Sequence, residues 1–149
     1  MNDEQFMDLA IEQARLAEQA GEVPVGAVLV HDGQVIAAAG NAPISTDDPS
    51  GHAEMRVIRA AGAALKNYRL NDTVLYVTLE PCPMCAGALV NARVGKVVYG
   101  AQDFKAGAGG TVFNILDSDK LNHRLIVEGG VKEPECRELL QSFFKSRRD

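Results

Sequence analysis

His52-Ala53-Glu54 and Pro81-Cys82-Pro83-Met84-Cys85 carry the residue types best suited to chemistry in this chain. One imidazole and two thiolates make three protein ligands for zinc, one fewer than the four of a closed structural site. A water would take the fourth position, and Glu54 is the carboxylate beside it to move a proton. Cys-x-x-Cys alone also serves redox and structural sites. A redox pair wants a thioredoxin-like context, whereas here Pro81 and a distant His-x-Glu come first. A structural site wants a fourth Cys or His at short spacing, and Cys136, His31 and His123 each stand alone. The preferred reading is one zinc per subunit on His52, Cys82 and Cys85, with Glu54 catalytic.

Helix chemistry can place these ligands. Pro83 suits a first helical position, since it needs no N–H there and its φ is preset. Cys82 is then the N-cap, and Cys85 faces it across one turn. The positive end of that helix favours thiolate over thiol. His52 follows Asp47-Asp48-Pro49-Ser50-Gly51, another helix start with Ser50 as candidate cap. His52 and Glu54 are two apart and do not share a helix face. A site off the end of the first turn can still be flanked by both.

The remaining elements follow from apolar periodicity. Residues 2–20 read as an amphipathic helix ended by Gly21. Runs at 25–30 and 34–40 are strands joined through His31-Asp32-Gly33, a hairpin signal. Residues 41–46 read as a polar loop, in which Asn41 is either a turn residue or a pocket residue. A helix spans about 52–66. Strands are expected at 73–79, 94–100 and 125–127, and a helix from Cys82 to about Arg93. The strand–helix–strand link favours parallel pairing beside the antiparallel hairpin, so the sheet is mixed, with helices on its faces. The Gly-rich stretch 103–111 lacks phosphate-loop spacing and is read as a loop at the site mouth. The last helix starts near Pro134. Its stripe of Cys136, Leu139, Leu140, Phe143 and Phe144 is first of all core. Phe143 or Phe144, followed by Lys145, Arg147 and Arg148, also makes the aromatic-plus-basic pattern that holds unpaired bases.

A chain of 149 residues forms one domain, 1–149, with room for a core. No apolar run reaches membrane-spanning length. Three cysteines, two of them ligands, argue for a reducing cytoplasm over a disulfide framework. The net charge is −5, and residues 1–22 hold six acids against one base. The rest of the chain is balanced, so a polyanionic partner is allowed but a strongly cationic, non-specific nucleic-acid binder is not.

The whole chain resembles the bacterial tRNA-specific adenosine deaminases of the cytidine deaminase-like superfamily, whose signature is His-x-Glu with Pro-Cys-x-x-Cys. Narrower matches are Pro24-Val25-Gly26-Ala27-Val28, Asp48-Pro49, Asn67-Tyr68-Arg69-Leu70, the run from Leu75 to Ala88, Asp103 to Ala108 and Asn122-His123-Arg124. The resemblance implies a three-layer α/β/α fold on a five-stranded mixed sheet, and a homodimer. It implies hydrolysis of the wobble adenosine of an arginine tRNA anticodon to inosine. Residue by residue, Asn41 corresponds to a purine-binding position and Ala53 to a substrate contact. Asp103 and Lys105 correspond to contacts with the flipped anticodon loop, and Phe144 and Arg147 to contacts at the C-terminus. Gln102 and Phe104 depart from the family pattern of a basic and a small residue.

Overall fold

Alternation in the central strands sets the architecture. Along β1 (Gly26–His31), Ala27 and Leu29 join one buried cluster, and Val28 and Val30 the other. In β3 (Thr73–Leu79) Leu75 and Val77 face the first cluster and Tyr76 the second. In β4 (Lys96–Ala101) Val97 and Val98 divide the same way. A sheet apolar on both faces must be covered on both. In the computed structural model, which describes residues 1–148, α1 (Asp3–Gln19) supplies Phe6, Met7, Ala10 and Ile11 to one side. On that side α5 (Glu133–Arg148) adds Cys136. The opposite layer is α3 (Ala53–Leu65) with Val57 and Ala61, and α4 (Pro83–Asn91) with Leu89.

The sheet order is β2-β1-β3-β4-β5, with β2 at Gln34–Gly40 and β5 at Ile126–Glu128. Pairings from β2 through β1 to β3 are antiparallel, and β3–β4 and β4–β5 are parallel. The expected three-layer mixed sheet is therefore present. The hairpin turns on Asp32 and Gly33, both at positive φ (52° and 75°), as a tight hairpin requires. Gly26 is needed for close approach, since a Cβ there would lie 2.1 Å from the Ala10 carbonyl oxygen of α1. Among the described residues, no helix is long and apolar enough to cross a membrane.

Two local expectations are corrected. Residues expected as a polar loop contain a short helix, α2 (Pro43–Thr46), which begins at a proline with preset φ. Ser50 does not cap α3. Its N–H and hydroxyl both donate to Asp48 Oδ1, and His52 is the N-cap residue, with extended backbone and no side-chain cap bond.

A buried carboxylate holds α2 in place. Glu22, 1% exposed, accepts from Ile44 N–H at 3.2 Å and from Ser45 N–H and hydroxyl at 2.7 and 2.6 Å. Burial pushes its pKa up, but these three donors and the Arg56 charge outweigh that and hold it below the ordinary value. A depressed folded pKa stabilises above the unfolded value, about 4.3, and that stability disappears as pH falls through the folded value. Thermal melts should therefore show parent above Glu22→Gln at neutral pH, with the gap closing below about pH 4.3. A gap unchanged down to pH 3 would contradict this role.

Candidate metal centre and active site

Two helix starts converge at the same end of the sheet. His52 precedes α3, and Cys82 precedes α4 directly after the β3 turn at Glu80-Pro81. Cys82 is the N-cap and Pro83 opens the helix, as the sequence predicts. The imidazole Nδ1 of His52 stands 3.6 Å from Cys82 Sγ and 3.4 Å from Cys85 Sγ. All three ligand atoms lie within 4.8 Å of one another. Sulfur at 2.3 Å and nitrogen at about 2.0 Å on a tetrahedral zinc stand about 3.6 Å apart. The donor set and its spacing therefore fit such an ion, and these are the residues that could hold one.

Glu54 lies in the first turn of α3 and is 4% exposed. The Cys85 thiol neighbours its carboxyl. Burial, above all, pushes it up to about 7, with the Cys82 charge adding to the rise while its own backbone N–H and His52 oppose it. A carboxyl poised near neutrality is suited to taking and returning a proton. The thiol pair shares a proton unequally. The hydrogen bond from Cys85 is the main reason the Cys82 thiol drops to about 5, and the same bond raises Cys85. Cys82 is thus the readier thiolate.

Asn41 joins this group in a way the sequence left open. Its Oδ1 accepts the Ala53 N–H at 2.9 Å, satisfying an otherwise orphaned amide of the first turn of α3. Ala53 itself is fully buried between His52 and Glu54. Arg56 reaches back to the Gly40 carbonyl at 2.6 Å, closing the same corner.

Asp103 and Lys105 sit on the loop after β4. The Asp103 carboxylate accepts the Lys105 and Ala106 N–H groups at 3.0 and 3.2 Å, and Lys105 is exposed. The loop meets the ligand-bearing turn where Ala108 N–H donates to the Pro81 carbonyl at 2.8 Å. Phe144 is 48% exposed, whereas its stripe partner Phe143 is buried. The Arg147 guanidinium lies 4.7 Å over the Phe143 ring. Among the described residues, no hydrogen bond or ion pair links Phe144 or Arg147 to the His–Cys cluster. The Arg148 side chain lies outside the described residues. His123 Nε2 donates to the Val94 carbonyl at 2.7 Å. Sequence reasoning missed Glu80, whose buried carboxylate gathers the 103–111 loop. Its signal was an acid ending an apolar strand just before the Cys motif.

A family model for MafB19-like deaminases matches residues 1–148. A Bacillus subtilis protein named tRNA-specific adenosine deaminase is 51% identical over 98% of this chain and 91% of its own length. A Haemophilus influenzae protein of the same name is 47% identical over 99% of this chain and 86% of its own. A solved structure from studies of A-to-I editing by tRNA:A34 deaminases superposes with a TM-score of 0.88 at 46% identity. It covers 91% of this chain and 99% of that one.

Proposed function

The chain belongs to the tRNA-specific adenosine deaminase family, and on that premise we propose that it hydrolyses the wobble adenosine of a tRNA anticodon to inosine. The proposed substrate is an arginine tRNA. The observation that carries the chemistry is the convergence of His52, Cys82 and Cys85 with the Glu54 carboxyl against Cys85.

His52, Cys82 and Cys85 would hold one zinc ion, a neutral imidazole and two thiolates balancing its charge. When bound, zinc supplies Lewis acidity and brings the ionisation of water to about pH 7. Glu54 takes a proton from the water that attacks C6 of the base. It gives that proton to the ring nitrogen, then takes the second from the hydroxyl now on C6 and passes it to the amino group, which leaves as ammonia. Water adds and ammonia leaves, so the change is hydrolytic. Backbone N–H groups at the start of α4, free of intrahelical partners, would stabilise negative charge developing beside Cys82. The base must leave its stack to reach Glu54, which favours a single-stranded loop over a duplex.

Asn41 serves twice in this proposal. Its oxygen caps α3, and its amide N–H₂ is assigned to the purine. Asn41→Asp keeps an acceptor for Ala53 and removes the donor; Asn41→Ala removes both. Both variants should retain zinc and lose about 10-fold or more in kcat/KM on an anticodon stem-loop, with Asn41→Ala alone losing about 1 kcal/mol of stability. Unchanged kcat/KM in both would remove Asn41 from the pocket.

Lys105 on the exposed loop, and Phe144 with Arg147 on α5, are assigned to the RNA. Such an enzyme works in the cytoplasm. A homodimer is part of the same reading, with a second copy covering the open groove of about 740 Å³ lined by Met55, Ile58 and Leu70 between α3 and α4. Turnover on an anticodon stem-loop, compared with free guanine, cytosine and adenosine, tests the substrate. Faster turnover on a free base would overturn the RNA assignment.

A further inference from the structure

Glu80 occupies the step between the end of β3 and Pro81-Cys82, and is 1% exposed. Four donors from one loop converge on its two oxygens. Asp103 N–H reaches Oε1 at 3.1 Å, and the Thr111 hydroxyl reaches Oε1 at 2.5 Å. Gly109 and Thr111 N–H groups reach Oε2 at 2.9 and 3.2 Å. The loop is shaped around that carboxylate. A Cβ on Gly107 would meet the Glu80 carboxyl carbon and Oε1 at 2.5 Å, so only glycine lets the backbone close over it. None of these bonds involves His52, Cys82, Cys85 or Glu54. A buried carboxylate with every donor drawn from one segment fixes that segment.

We propose that Glu80 is a positioning residue for substrate binding, holding the 103–111 loop against the ligand-bearing turn so that Asp103 and Lys105 present a fixed surface to RNA. This rests on the anticodon reading above. The Asp103 N–H is tied to Glu80, and the Asp103 carboxylate in turn folds the backbone at Lys105 and Ala106. The chain of contact thus runs from Glu80 to both assigned RNA residues without touching the reacting atoms. Glu80 therefore acts on binding, and its loss leaves the chemistry in place.

Steady-state kinetics on an anticodon stem-loop test this with Glu80→Gln, which keeps the volume but turns an amide N–H₂ toward the loop donors. KM should rise about tenfold, with kcat within about threefold of the parent and zinc content unchanged. The decisive comparison places Glu80→Gln on an Asp103→Ala/Lys105→Ala background. If Glu80 works through those residues, it adds little there, because the two losses are one loss. A full additional tenfold loss on that background, or an unchanged KM, overturns the proposal, as does loss of zinc with collapse of kcat. Should Glu80→Gln not fold, Thr111→Val removes one of the four bonds and is read by the same criteria. A parent inactive on the stem-loop would instead sink the anticodon reading, so the two failures are distinct.

Discussion

Glu54→Gln will bind zinc as the parent does and lose deamination by about 10²–10⁴-fold. The carboxyl is isosteric with the amide, so packing against Cys85 survives while the proton acceptor is removed. The metal survives because His52, Cys82 and Cys85 converge without Glu54. Stability should move the other way from activity. Glu54 is buried, and that burial is what pushes its pKa up to about 7. Replacing a charge held at such a cost with a neutral amide should leave the melting temperature equal to or above the parent's. Single-turnover inosine formation, metal analysis and a thermal melt on one preparation check all three. Retained turnover would remove Glu54 from the chemistry.

Cys85→Ala tests the opposite side of the centre. Its sulfur is fully buried and lies 3.4 Å from His52 Nδ1. Without it two ligands remain, and zinc content should drop from one per chain to a small fraction. Activity falls with it. Stability falls too, because a ligand that binds only the folded state stabilises it by mass action, about 4 kcal/mol at a thousand times its dissociation constant. For a chain of this size that is a loss of about 10 °C in melting temperature. A chelator applied to the parent should reproduce most of the shift, whereas it should leave Cys85→Ala unmoved. A zinc-replete, active Cys85→Ala protein would contradict the ligand set.

Much of this centre could be read from residue types alone. Pro83 after Cys82 marks a helix start, and a three-residue step fixes which side the second sulfur faces. Asp32-Gly33 marks a hairpin because those residues tolerate positive φ, and both adopt it. What stayed hidden depends on partners distant in the chain. The donors to Glu80 come from 23 to 31 residues away, and those to Glu22 from 22 and 23. An acid is read as a surface residue until its donors are known. Ser50 looks like a cap for α3 for the same reason, since the acceptor for the Ala53 N–H is Asn41, twelve residues upstream. Phe143 and Phe144 differ by one position in a stripe, and only packing decided that Phe143 is buried and Phe144 exposed.

The most direct measurement withdraws the metal stepwise with a chelator and follows zinc content and inosine formation in an anticodon stem-loop on the same aliquots. Turnover should fall in proportion to zinc, extrapolate to one ion per chain at full activity, and return when zinc is restored. Undiminished turnover in samples stripped of metal would contradict the account.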